Sequence, residues 1–438
     1  MLIELIICDL VPLRERPKFL GLVAAIFAIG TSVGPFVGGA LVQHSSWRWV
    51  FYINLPIGGT SLVLLFLFLK VRRKKLPIMD NIQQFDYVGS GLVIASTVAI
   101  IFALSSGGSK YPWSSWRVIV PLVFGLVGLV GFHVWEALGP VQKPLTPPHL
   151  FANRTSAIAF FLTFAHAMLF GWVLYFLPVY FQAVLSSSTT RSGVQLLPTV
   201  TTMIVFALVG AQFMEKTGRY MPVHFIGLAI MAVGLGTFSL LNENSSTGMW
   251  AGLQILQAAG TGLITTALLP AVQAGLSDDD NASSTATWSY IRGHGGIWGI
   301  TIPVAVFNNE FAKHLNWISD VNVRSVLAGG NAYAQASHAF MASLSKEVRL
   351  EVISVYIRSL RTTWIVAVAI CAATCLLVLA EKEIKLRTQL DSEYGLDAPS
   401  NDNEDSESKT REITGSDTES RKQHKAVELP IPSVSTGL

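Results

Sequence analysis

The sequence predicts an all-α, polytopic membrane protein, and three observations carry that prediction. The 438 residues are 51% hydrophobic and only 13% charged, against roughly 25% charged in soluble domains. Mean hydropathy is +0.48. The apolar residues gather into long runs, and about 20 such residues cross the ~30 Å hydrocarbon core of a bilayer as a helix. Spans of that length cannot be barrel strands, which alternate and run ~10 residues. A soluble enzyme of this size would need polar surface that these residues do not supply. The composition also excludes disorder over most of the chain and a disulfide-built secreted fold. Cys8, Cys371 and Cys375 are the only cysteines, and the last two, four apart on an apolar run, read as small apolar filler rather than a metal site or disulfide. A net charge of +3 gives no signal for nucleic acid.

Taken in order, residues 1–8 are apolar but too short to span. They lack the basic region and cleavage site of a signal peptide, and read as the end of a helix that begins upstream. Ten spans follow, near 21–42, 51–69, 88–106, 117–137, 157–177, 194–213, 222–241, 249–272, 288–307 and 362–380. Glycines are frequent within them, as where membrane helices approach closely. Arg14, Arg16 and Lys18, then Lys70 to Lys75, Lys143, Arg154, Lys216 and Arg219, fall in one set of loops. They outnumber Arg48, Lys110, Arg117 and Arg191 in the alternate set, which puts the first set, and the C-terminal tail, in the cytoplasm. Lys70 to Lys75 reads as a positive-inside anchor that also meets anionic lipid.

Two regions fall outside the spans. Residues 308–361 form an outer loop in which Val348–Tyr356 reads as a short amphipathic helix lying on the membrane surface. Residues 388–438, rich in Ser, Asp, Glu and Lys, read as a disordered cytoplasmic tail. Asn244-Ser245-Ser246 is a possible glycosylation site in an outer loop, whereas the sequons at Asn153 and Asn281 fall on the cytoplasmic side and stay bare.

Gly30, Gly34 and Gly38 lie four apart on one helical face with almost no side-chain bulk. Pro35 removes a backbone hydrogen bond from that helix and bends it. An ordinary tight helix contact would use the same spacing. The longer string Gly30, Gly34-Pro35, Gly38-Gly39 is more specific: it resembles the antiporter motif in the fifth span of major facilitator superfamily exporters. Trp47-Arg48-Trp49 through Asn54-Leu55-Pro56 and Gly58 resembles the fourteen-span drug:proton antiporter branch, especially its fungal toxin-efflux members. Asp9 to Arg16 is similar to the loop between spans four and five. Gly210 with Glu215-Lys216-Thr217-Gly218-Arg219 is similar to the C-half copy of the cytoplasmic loop motif. Ser289 to Arg292 with Gly295-Gly296 and Gly299 is similar to the penultimate span.

The resemblance implies two six-helix halves around a central cavity, with two extra helices between them. It divides the chain into a remnant of the N-terminal half (1–75), two linker helices (76–140), a C-terminal six-helix half (141–387) and the tail. It implies that the chain starts at the end of the fourth span, with the first three spans and most of the fourth missing. It further implies alternating access around a midplane site, with the Gly34–Gly38 face sealing one side. Glu215 and Arg219 would latch the cytoplasmic face by pairing with a helix terminus or each other; a plain positive-inside anchor is the equal alternative for Arg219.

Polar groups inside spans are candidate cavity residues. His166, near Trp172, Tyr175 and Tyr180, would bind substrate or relay a proton, or else hydrogen-bond a neighbouring helix. Arg292, about 7 Å into its span at 1.5 Å per residue, would line the cavity mouth or snorkel to the interface. Gln254 and Gln257, three apart, would bind an amphipathic ligand or clasp two helices. Asp86 reads as a helix cap. No proton-carrying carboxylate is evident within the ten spans, because Asp86, Glu136 and Glu215 lie near span ends; a proton-driven pump would then hold its key acid in the missing helices. Asp278-Asp279-Asp280 reads as a solvated loop rather than a diphosphate-binding site, and no metal or nucleotide motif appears.

The resulting expectation is a non-enzymatic, monomeric exporter of hydrophobic or amphipathic small molecules (toxin, drug or secondary metabolite). It would use the proton gradient and no cofactor, in the plasma membrane or else a vacuolar or vesicular membrane. Its partners would be the substrate and the lipid bilayer, with no nucleic acid. A truncated, non-transporting remnant that interacts with other membrane proteins is the alternative.

Overall fold

The computed structural model describes residues 2–46, 48–68, 86–108, 110–139 and 144–387. The anchor at Lys70 to Lys75 and the tail at 388–438 lie outside the described residues. Among those described, the chain is helical and forms no β-strand. It is an all-α membrane bundle.

A short α1 (Leu2–Leu10) leads into α2 (Arg16–His44) and α3 (Asn54–Phe68). Then come α4 (Tyr87–Ser106), α5 (Trp116–Leu138), α6 (Arg154–Val179), α7 (Leu197–Thr217), α8 (Met221–Thr237) and α9 (Thr247–Thr265). A short α10 (Leu268–Gln273) precedes two long helices, α11 (Asn281–His314) and α12 (Lys346–Val378). Eight of the described helical stretches are long and apolar enough to cross a bilayer. The other two expected spans fall on α2, which holds residues outside the described ones, and on α11, a long helix of more polar composition.

Local chemistry sets the helix ends. Asp86 caps α4 by accepting from the Gly89 amide at 2.9 Å, as expected, and also accepts from the Trp135 indole at 3.1 Å. Asn153, Ser246 and Ser345 cap α6, α9 and α12 in the same way. Pro178 near the end of α6 is followed by a wider turn, in which the Leu185 amide reaches the Tyr180 carbonyl at 3.2 Å. Buried hydroxyls such as Thr163 and Thr363 bond the carbonyl four residues back, so no polar group from them needs water inside the bundle.

Helices α6 to α12 form an open ring in which α6 packs on α11, α11 on α12, α12 on α8, α8 on α9 and α9 on α7. Glycines permit the closest crossings. A Cβ on Gly295 would lie 2.4 Å from the Phe164 carbonyl oxygen, and one on Gly299 2.4 Å from that of Met168, so α6 and α11 meet backbone to backbone. The pair α4 and α5 packs as a hairpin and touches α11. Its outer face, with Val120, Phe124, Val127 and Val130 exposed, is an apolar band suited to lipid. Helices α1 and α2 rest on the ring through α11 and α7.

The structure corrects one expectation. Val348–Tyr356 is not a separate surface helix but the first turns of α12. Its apolar side is covered by protein rather than lipid: Val352, Val355 and Tyr356 are buried, and the Tyr356 hydroxyl donates to the Ala332 carbonyl at 2.6 Å. Phe307 and Phe311 pack on the same ring at 5.7 and 5.1 Å. Residues 308–345 thus cap one end of the ring. A second apolar cluster at the opposite end joins Cys8, Leu13 and Leu20 to Tyr220, Ala267, Trp288 and Leu386.

Candidate functional site: a cavity between α1, α2, α6 and α11

A cavity of about 520 Å³ opens where α1 and α2 meet the ring. Its walls are mostly apolar, from Leu20, Val23, Phe170, Leu174, Met203 and Ile297, with Tyr175 and Trp288 adding aromatic surface. Gly171 faces Gly296 and Gly299 at 3.4–3.5 Å from its would-be Cβ, leaving that wall without side chains.

The charged groups of this lining are Glu4 and Arg292, with His166 as a further titratable group. Glu4 Oε1 and Arg292 Nη2 are 3.2 Å apart. The Glu4 side chain is 8% exposed and that of Arg292 45%, so the guanidinium still faces the cavity space. Arg292 also lies over the Trp288 ring, 4.4 Å from its centroid, which fixes the guanidinium plane by cation–π attraction.

The expected cavity residues divide into two groups. His166, Tyr175 and Arg292 line the cavity. His166 is buried, and its Nε2 contacts the Thr261 carbonyl at 3.2 Å, so it also bridges α6 to α9. Gln254 and Gln257 line no part of it. Gln254 accepts from the Thr199 hydroxyl at 2.8 Å and donates to the Trp250 carbonyl at 3.2 Å, a clasp between α7 and α9. Gln257 donates to Thr261 Oγ1 at 2.8 Å within α9. His294 sits among Tyr290, Phe164 and Trp298.

The glycine string of α2 is placed differently from its expected tight seam. Gly30 and Gly34 are exposed, and among the described residues nothing lies within 4 Å of the Cβ each lacks. Pro35, Gly38 and Gly39 continue the α2 helix, and their surroundings lie outside the described residues. The contact of α2 with α7 is made one turn or more earlier, where a Cβ on Gly21 would lie 3.4 and 3.5 Å from the Leu208 and Ala211 side chains.

Below the cavity, the loop-motif residues take separate partners. Gly210 packs against α9, since a Cβ there would lie 2.7 Å from the Leu263 carbonyl oxygen. Gly218 ends α7 with φ +69°, a left-handed conformation that favours glycine. Glu215 faces Lys18 at 3.9 Å, and Arg219 faces Glu383 at 3.8 Å; the two do not pair with each other. Asn244 is exposed in its loop, while Asn153 and Asn281 are used as a helix cap and a buried acceptor. Asp278 and Asp280 are engaged by Arg387 at 3.2 Å and His149 at 2.9 Å. Burial raises the Asp280 carboxyl pKa, but hydrogen bonds from His149 and Ser277 outweigh this and hold it below the ordinary value.

Three residues that matter here were not legible as site residues. Glu4 sits in a stretch too short to read as a span. Arg14 and Arg16 read only as positive-inside charges. In the fold, Arg16 is fully buried and donates to Gln273 Oε1 at 2.7 Å, Asn281 Oδ1 at 3.1 Å, the Cys8 carbonyl at 2.6 Å and the Val11 carbonyl at 2.9 Å. Arg14 donates to the carbonyls of Glu215 and Lys216, both at 2.7 Å. These are end carbonyls of α7, where a cation also meets the negative end of the helix dipole. The available signal was the Arg-Glu-Arg spacing after Pro12. Together the two arginines fasten α1 and α2 to the ring on one side of the cavity.

A bundle of long apolar helices around a mostly apolar cavity with one internal charge pair defines a multi-pass membrane transporter rather than an enzyme. Residues 2–300 match the family model described as Major Facilitator Superfamily, and the chain belongs to that family. It is 49% identical over 409 residues to the MFS-type transporter gkaD of Penicillium citrinum, covering 93% of this chain and 70% of that protein. It is 45% identical to the MFS-type efflux transporter ffsH of Aspergillus flavipes, over 90% of this chain and 70% of the relative. The MFS efflux transporter aclA of Aspergillus oryzae is likewise 45% identical, over 92% and 73%.

Proposed function

We propose that this chain is an exporter of hydrophobic or amphipathic small molecules, such as a toxin, drug or secondary metabolite, working by alternating access and proton antiport. The cavity carries this reading: about 520 Å³ of mostly apolar space, with one acid–base pair joining α1 to α11. Apolar walls with a few fixed polar groups suit an amphipathic cargo. The names of the relatives, two of them efflux transporters, support export.

Glu4 is the carboxylate we assign to the coupled proton. Charged, it holds Arg292 and ties α1 to α11. Protonated, it loses the ion pair, and the two sides of the cavity are free to part. His166, elsewhere in the same lining, is the second group we assign to proton exchange. On this reading the Gly30–Gly39 face of α2 slides against a partner surface during the cycle, the protein works as a monomer in the plasma membrane with its tail in the cytoplasm, and Asn244 faces outside.

The test is accumulation of amphipathic dyes and drugs in pump-deficient yeast expressing this chain, with and without a protonophore. Lower accumulation that a protonophore reverses supports the proposal. Accumulation equal to the empty vector overturns it.

A further inference from the structure

The segment after α12 does not leave the protein directly. Residues 381–387 run without helix across the end of the ring that carries Arg14 and Arg16, and they are bonded at almost every step. Thr155 Oγ1 donates to the Lys382 carbonyl at 3.0 Å. The Tyr220 hydroxyl donates to the same carbonyl at 2.7 Å and accepts from the Ile384 amide at 2.9 Å. The Leu386 amide donates to the Gly218 carbonyl at 3.3 Å, and the Leu386 side chain is 2% exposed. Arg387 donates to the Leu276 carbonyl at 2.7 Å and faces Asp278 at 3.2 Å.

All of those contacts are to the ring. One is not. The Arg14 amide donates to the Arg387 carbonyl at 3.0 Å, while the Arg14 side chain bonds the end of α7. Leu386 joins Cys8, Leu13 and Leu20 in one buried apolar cluster. A motion that carries the Arg14 segment away from the ring on this side breaks its bond to Arg387 and opens the cluster that holds Leu386. The segment has seven residues, too many bonds to the ring to stay behind, and one edge facing Arg14.

We infer that residues 381–387 are a strap that travels with the ring and forms part of the gate closing this side of the cavity, with Arg387 and Leu386 as positioning residues for the Arg14 segment. The inference rests on the alternating-access reading, and it makes the segment that follows α12 part of the transport machinery rather than an inert exit.

Hydrogen–deuterium exchange on the detergent-purified full chain tests it without any transport. Tyr220→Phe removes only the hydroxyl that pins Lys382 and Ile384. Exchange about fivefold faster is expected both at 381–387 and at 11–16, with mid-α12 amides unchanged. Faster exchange at 381–387 with 11–16 at the parental rate overturns the inference. A second arm oxidises Arg14→Cys paired with Arg387→Cys in yeast membrane vesicles. Export is expected to fall about tenfold or more and to return with reductant. The reduced pair, and each single cysteine variant under the same oxidant, report the effect of substitution without the bridge. Undiminished export under complete 14–387 crosslinking overturns the strap but leaves the exporter reading standing. A parent chain that does not export sinks that reading instead, and the exchange arm then decides the strap by itself.

Discussion

Glu4 and Arg292 lie 288 positions apart in the chain and 3.2 Å apart in the fold, and their ion pair joins α1 to α11 across the cavity. A carboxylate 6% exposed overall is costly to charge without its partner. Removing the Glu4 charge therefore removes this tie between α1 and α11.

Glu4→Gln keeps the shape and removes the charge. Proton-driven export into vesicles is expected to fall by a factor of about 100 or more, while passive, gradient-driven exchange of the same cargo survives. Retention of uphill export by a correctly inserted Glu4→Gln variant would remove Glu4 from the coupling step. Arg292→Lys, which keeps the charge but loses the planar stack on Trp288, should weaken cargo affinity more than it slows turnover.

Gly34→Leu and Gly299→Ala separate function from folding. Among the described residues nothing lies within 4 Å of a Cβ on Gly34, whereas one on Gly299 would lie 2.4 Å from the Met168 carbonyl oxygen. Gly34→Leu is expected to insert and melt like the parent yet fail to export. Gly299→Ala should lower thermal stability by about 1–3 kcal/mol through overpacking of α6 on α11. The check is a melting curve and an efflux assay on both variants.

Gln254 tests whether the amide clasp is structural. Gln254→Leu leaves the Thr199 hydroxyl without its 2.8 Å acceptor. A loss of about 0.5–2 kcal/mol is expected, with the KM for cargo unchanged. A shifted KM with unaltered melting would place Gln254 in the cargo path.

Asp280 supplies the pH-dependent contact. Its pKa is depressed in the folded chain, so its contribution is complete above the ordinary carboxylate pKa of about 4 and is lost as pH falls through the lower folded value. The melting temperature of Asp280→Asn should therefore lie below that of the parent at pH 7 and converge with it as pH drops below about 4. A gap that persists in acid would mean that the His149 contact does not depend on the carboxylate charge.

Much of this protein is determined locally. Runs of about 20 apolar residues must be helices in a bilayer because no other structure satisfies the backbone there. That argument alone located Tyr87–Ser106 and Trp116–Leu138, but only part of α11 and α12. Capping residues such as Asp86 were readable because a cap bonds its own neighbours. What stayed hidden was every property that depends on a distant partner. Glu4 became a cavity residue only because α1 meets α11. Gln254 left the cavity because α9 turns it toward Thr199 of α7, while Gln257 bonds Thr261 along its own helix. Arg16 turned from a surface charge into a buried crosspiece when Gln273 and Asn281 came within reach. Hydropathy is summed along one segment, whereas the direction of a side chain is fixed by which other segment packs against it.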